Sequence, residues 1–230
     1  MFFNRIAKPI SLRFYTNHAI AYDLFRPDIA GKFAPNWMAG SDSKVKHCYG
    51  LKSLFSNGFA IPLWSDFSMQ IREMANGEFE GSYNFADRSG LSHIQLENSS
   101  SPMHPKNKML FKLLSVWFCE CDEDVQFAAI ENMWSNPSRK AEFVSGSLDF
   151  KFQAATNMFF YIEKKNDTIN MNAGDIFILF RQLSERKLKI ECQYDPEKFS
   201  YLSSKTNQTP FFKQSYMKAR NMSLYGNNKN

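Results

Sequence analysis

Acidic side chains are missing from residue 204 onwards. Ser204 to Asn230 carries Lys205, Lys213, Lys218, Arg220 and Lys229 without one Asp or Glu, so the net charge of +5 (28 basic against 23 acidic residues) sits in this stretch. The rest of the chain is neutral, which leaves the tail as its electrostatic handle. Cysteine is scarce, with 4 in 230 residues (Cys48, Cys119, Cys121 and Cys192), too few for a disulfide-framed mini-domain and suited to a reducing compartment. No apolar run reaches membrane-spanning length, and Met1-Phe2-Phe3-Asn4-Arg5 has no apolar signal core. A soluble protein of the cytoplasm is expected. His18, His47, His93 and His104 are scattered without a His-x-His or His-x-Asp pair, which argues against a facial iron centre. Cys119 and Cys121 point to one face of a strand, yet no second Cys or His pair stands at ligand spacing, so no metal is expected. Neither a Gly-x-Ser-x-Gly elbow nor a P-loop occurs, and no repeat of solenoid or propeller period is found. No cofactor is called for, and these absences lean away from an enzyme.

Phenylalanine is abundant, with 23 copies that supply bulky core without polar tips to satisfy. The densest order lies between Glu142 and Glu191. Leu148, Phe150 and Phe152 alternate with Asp149, Lys151 and Gln153, the period of a half-buried strand. Met158 to Ile162 reads as a strand covered on both faces, Ile169 and Met171 as another, Ile176 to Phe180 as a central one, and Leu188 and Ile190 as an amphipathic edge. Polar turns at 164–167 and 172–175 separate them, so a meander or half of a sandwich is expected. Upstream, Ile10, Leu12 and Phe14 form a first strand, and Tyr15 to Tyr22 a second strand or a bend. Tyr49 to Ser56 predicts two helical turns stopped by a left-handed Asn57-Gly58. Phe59, Ile61 and Leu63 alternate on a strand that Pro62 confines to an edge or bulge, and Phe67, Met69 and Ile71 continue it as a bent strand or hairpin. Asn76-Gly77 signals a further hairpin. Met109 to Phe118 and Val125 to Ile130 are apolar strands flanking Asp122-Glu123-Asp124.

The chain therefore predicts a mainly β protein, with one β-sandwich or jelly-roll-like domain over residues 1–203, a few short helices, and a basic, aromatic-containing C-terminal arm over 204–230. Leu12, Ile61, Met69, Leu148 and Ile169 should meet in a single core. In the arm, Thr209-Pro210 starts a short helix in which Phe212 and Tyr216 share a face, with Phe211, Lys213, Lys218 and Arg220 as further contacts. So short a helix needs something to dock on. Its expected occupant is a protein partner or self-association, with nucleic acid second and no membrane.

Four fragments resemble pieces of trimeric dUTP pyrophosphatases: Ala21-Tyr22-Asp23-Leu24, Arg88-Ser89-Gly90-Leu91, Gly146-Ser147-Leu148-Asp149, and Gly174-Asp175 before an apolar strand. The resemblance implies a nucleotide-binding or nucleotide-hydrolysing alternative, with Tyr22, Asp23, Arg88, Ser89, Gly90 and Asp149 as ligand contacts. Phe150 and Lys151 stand where that family has tyrosine and arginine. A broader pattern joins Cys48-Tyr49-Gly50, Asn57-Gly58-Phe59-Ala60-Ile61-Pro62-Leu63-Trp64-Ser65-Asp66, Lys112-Leu113-Leu114-Ser115-Val116-Trp117 and Asn172-Ala173-Gly174-Asp175. Over residues 9 to 195 it resembles β-rich proteins of tailed phages, the marine T4-like ones especially (the DUF6065-like group). That resemblance implies a phage origin, a place in the host cytoplasm or the virion, a β-sandwich and no catalytic residues. Binding or assembly is the function it suggests.

Overall fold

Alternating side chains write the first strand. Ile10, Leu12 and Phe14 are fully buried while Ser11 and Arg13 face outward, as a period of two requires. The computed structural model describes residues 7–36, 47–86, 94–97, 105–131 and 140–207. Along them run β1 (Ile10–Thr16), α1 (Ala19–Leu24), β2 (Asp28–Ile29), a 3-10 turn (Ala30–Phe33), α2 (Tyr49–Ser56), β3 (Gly58–Pro62), β4 (Phe67–Glu73), β5 (Phe79–Phe85), β6 (Ile94–Glu97) and β7 (Lys108–Leu113). There follow β8 (Phe118–Cys121), β9 (Gln126–Glu131), β10 (Ala141–Phe143), β11 (Gly146–Asp149), β12 (Met158–Glu163), β13 (Asp167–Met171), β14 (Ile176–Gln182), β15 (Leu188–Tyr194) and α3 (Pro196–Asn207). The protein is mainly β with few, short helices, and no helix among the described residues is long and apolar enough to cross a membrane.

The strands form four sheets, ordered β15-β1-β8, β10-β12-β7-β6, β11-β9-β14-β3-β2 and β13-β4-β5. The expected meander is not what forms. The five strands from β11 to β15 enter all four sheets, and none pairs with its neighbour in sequence. A tight hairpin needs a turn whose twist matches its strands, and Asn76-Gly77 provides one between β4 and β5, with Gly77 at φ 78°. Gly174, at φ 87°, serves instead at a corner. There β3–β4 and β13–β14 run side by side as two long antiparallel strands that bend together from one sheet into the next. The corner is stitched by Leu63 N–H to Asp175 O (2.9 Å), Gly174 N–H to Leu63 O (2.7 Å) and Ala173 N–H to Asp66 Oδ1 (2.8 Å). The bent strand expected across Ser65-Asp66 is thus real, and Pro62 sits at its bulge, where the register of β3 on β14 shifts. Met109 to Phe118 breaks at a second corner into β7 and β8. Thr156 Oγ1 donates to Trp117 O at 2.7 Å and Ser115 N–H to Asn157 Oδ1 at 3.1 Å to hold that break.

Leu12, Ile61, Met69 and Ile169 lie in one buried cluster, with Leu148 packed against it. At its centre Phe59 stacks on Phe180 (4.8 Å between ring centroids), and Phe150 reaches Phe127 (5.2 Å), Phe59 (5.8 Å) and Phe180 (5.9 Å). Gly58 begins β3 because a Cβ there would lie 2.7 Å from Phe180 O and 3.0 Å from Leu54 O. Its φ is not positive, so α2 ends without the left-handed stop. Tyr15 to Tyr22 gives no second strand: β1 ends at Thr16, the chain bends at Asn17, and α1 starts at Ala19 with His18 as N-cap, its Nδ1 accepting from Ala21 N–H at 3.1 Å. β11 stops at Asp149, so Phe150 and Phe152 do not continue a strand. Met158 to Ile162 is covered on one face only, with Phe159 turned outward.

Candidate functional site

Of the ligand contacts implied by the pyrophosphatase resemblance, Tyr22, Asp23 and Asp149 are among the described residues; Arg88, Ser89 and Gly90 lie outside them. Tyr22 and Asp23 ride on α1. The Tyr22 ring lies 6.1 Å from that of Tyr194 and 4.0 Å beneath the Arg26 guanidinium, and Asp23 is exposed. Asp149 is buried at the end of β11, where the chain reverses: its Oδ1 accepts Lys151 N–H (3.1 Å), and its carbonyl accepts Phe152 N–H (3.1 Å) and Gln153 N–H (2.9 Å). Alternation alone would put this carboxylate in solvent, but the turn carries it inward. Register separates the two sites. Tyr194 pairs with Thr16 on one side of β1, while Phe150 O takes Cys121 N–H level with Leu12 on the other. Three strand spacings and four residues of register put Tyr22 and Asp149 on the order of 20 Å apart.

The thiols are packing groups. Cys119 and Cys121 do share a face of β8, both are buried, and burial pushes both thiols up from their ordinary range. Cys192 donates to Pro27 O at 3.5 Å and is pushed up to about 12, mainly by burial. Among the described residues no three His, Cys, Asp or Glu side chains gather as metal ligands. A shallow polar groove of about 620 Å³ opens where β4 and β13 end, lined by Gln70, Arg72, Glu73, Lys140, Asn166 and Thr168 among others. Many of its polar groups answer one another. Lys140 pairs with Asp167 and holds that carboxyl below its usual range, and Asn166 Oδ1 accepts Glu73 N–H at 2.8 Å.

The region with the most distinctive construction is α3, the root of the arm, a helix that strand alternation does not predict. Its start has the expected chemistry: Asp195 Oδ1 accepts Lys198 N–H at 2.9 Å, and Pro196 occupies the first helical position. That Asp-Pro pair, with Phe199 and Leu202 three apart, was the available signal. Phe199 and Leu202 (1% exposed) bury against Tyr15, Phe118 and Ala155, and the Phe118 and Phe199 rings meet edge-on at 4.9 Å. Lys198 then closes the joint. Its Nζ lies 3.0 Å from Glu120 and over the rings of Tyr15 (5.5 Å) and Tyr201 (5.4 Å), and Glu120 raises its pKa. The helix runs on through residue 204 to Asn207, so the boundary drawn after Ser203 falls inside it. The arm contacts Phe211, Phe212, Lys213, Tyr216, Lys218 and Arg220 lie outside the described residues.

No family model matches the chain, and no curated protein sequence matches it.

Proposed function

We propose that this chain is a non-catalytic binding or assembly protein of phage type, acting in the infected cell or in the virion, with its partner engaged through the C-terminal arm. The observation that carries the reading is the joint at α3. A helix is fixed to the body by two buried apolar side chains and an ammonium set over two tyrosine rings, and it hands on directly to a stretch with four cations (Lys213, Lys218, Arg220 and Lys229), no acids and interleaved aromatics. An anchored root of this kind lets the arm engage a partner while the body keeps its fold. The resemblance to tailed-phage proteins supplies the setting.

The test compares the full chain with a form ending after Asn207, by sedimentation velocity and by thermal melting. Loss of an oligomer, or a lower melting temperature with the sheets retained, supports an arm that docks on protein. Identical behaviour of the two forms, together with turnover of dUTP or dCTP that Asp149→Asn abolishes, would overturn the reading in favour of a nucleotide hydrolase.

A further inference from the structure

One face of the four-stranded sheet β10-β12-β7-β6 is turned away from the core. Its inner residues, Met109, Phe111, Leu113, Met158, Phe160 and Ile162, are all buried. They pack towards β4 and β5, as shown by Gly81, where a Cβ would lie 2.9 Å from the Phe111 ring. The outer residues of the two central strands pair across as Phe159 with Lys112, Tyr161 with Leu110, and Glu163 with Lys108. Phe159 is 36% exposed in the middle of a sheet, where a β-branched or polar residue would lower the cost of exposure. The Lys112 ammonium stands 5.7 Å from the centre of its ring. At the far end of the same two strands Lys164 N–H bonds to Asn107 O at 2.7 Å, which gathers Lys106, Lys108, Lys164 and Lys165. Glu142 takes up Lys108 and Glu163 takes up Lys165, while Glu97 holds the register position beside Leu110. Five lysines against three glutamates leave the face positive, and Lys112 makes no ion pair among the described residues.

We infer that this outer face is a binding platform for single-stranded nucleic acid. A sheet face with an exposed ring pairs naturally with an unstacked base, because every base has a π-face and the ring is held at low entropic cost by its strand. Lys112 is placed to leave the ring for a phosphate, and the lysine end continues the path for the backbone. From Phe159 to Lys164 is five residues of strand, roughly 17 Å, enough for about two or three nucleotides. Duplex offers no accessible base faces to such a platform, so single strands should be preferred. The residues of this face are none of the arm's, and the proposal stands whether or not the arm binds a partner.

Fluorescence anisotropy of the full chain with labelled oligothymidylate and oligouridylate of about ten nucleotides tests it. Binding should weaken with salt and be tighter than to the matching duplex. Phe159→Ala should weaken it between about fivefold and a hundredfold, and Phe159→Trp should preserve it. Lys112→Gln should lower the log-log salt slope by about 0.7. Replacing Lys213, Lys218 and Arg220 together by Gln distinguishes the arm: if that variant abolishes binding while Phe159→Ala leaves it intact, the platform is refuted. It is equally refuted if the wild type shows no binding at low salt, or if Phe159→Ala dissociates a dimer in sedimentation without any oligonucleotide binding, which would make the face a contact between two copies.

Discussion

Replacing Phe150 by alanine removes a ring that touches the rings of Phe59, Phe127 and Phe180 and is 2% exposed. These partners come from β3, β9 and β14, three adjacent strands of one sheet. They cannot close on the vacated space without bending a ladder that is paired on both sides, so the site relaxes little. Truncations of buried phenylalanine cost about 3–5 kcal/mol, and poor relaxation puts this one at the upper end. Total stability is of order 5–15 kcal/mol, so the variant should fold with a much reduced margin. At about 2–4 °C per kcal/mol for a chain of this size, the melting temperature should fall by roughly 10–20 °C. The assay is urea unfolding followed by emission from the buried Trp64 and Trp117, with the midpoint compared at unchanged m-value. Phe159→Ala is the control, a ring 36% exposed on the outer face of its sheet, whose loss should cost clearly less. A loss below about 1.5 kcal/mol for Phe150→Ala, or equal losses for both variants, would refute the packing argument. Phe150→Asp should be worse still, since an unpaired charge enters the same apolar site.

Gly58→Ala should destabilise by about 2 kcal/mol or more, because the new methyl meets two backbone carbonyls, on β14 and on α2, that cannot step aside; thermal melting would show it. With a thiol reagent under native conditions near neutral pH, Cys48 should react first and alone, since it is exposed while Cys119, Cys121 and Cys192 are buried or half-buried with thiols held protonated; three further thiols should titrate on unfolding. Arg13, Arg186 and Lys140 hold Asp122, Glu123 and Asp167 below the usual carboxylate range. Folded values below unfolded ones mean that these pairs contribute fully above the ordinary carboxylate pKa of about 4, and that the contribution is lost as pH falls through the folded values. Arg186→Met should therefore lower stability at pH 7 and leave it nearly unchanged at the acid end of a pH series of urea midpoints, and the opposite trend would refute the assignment.

Local order was legible in this chain, and long-range pairing was not. The strand alternation at Leu12, Met69 and Ile169, the helix from Tyr49 to Ser56 and the Asn76-Gly77 hairpin each depend on neighbours in sequence, and each appears where the residues put it. Which strand lies beside which depends on faces that many strands share. A period of two says that Ile169 is buried and not that Met69 is opposite it. Corners defeat the reading further, because an apolar strand that bends into a second sheet looks like one uninterrupted strand, as from Met109 to Phe118. Asp149 shows the same limit at a single residue: a turn that begins one position early reverses which side chain is buried. At α3 the information was present in Asp195-Pro196 and the spacing of Phe199 and Leu202. On the outer face of β12, Phe159 looked like core because a run of five apolar residues does not say which face is covered.

β1 takes β8 as its antiparallel partner and β15 as its parallel one, so Ile10 waits for Leu188 to complete its sheet. During synthesis the two are separated by 188 − 10 = 178 residues of translation, about 10–35 s at common elongation rates. Throughout that interval the segment Ile10–Thr16, apolar on one side and open along one edge, is presented to the cell. Everything up to Leu188 must be translated before β1 is enclosed on both edges. Closure of this sheet is consequently a late event relative to the synthesis of β1, and the early segment is a natural client for holding chaperones.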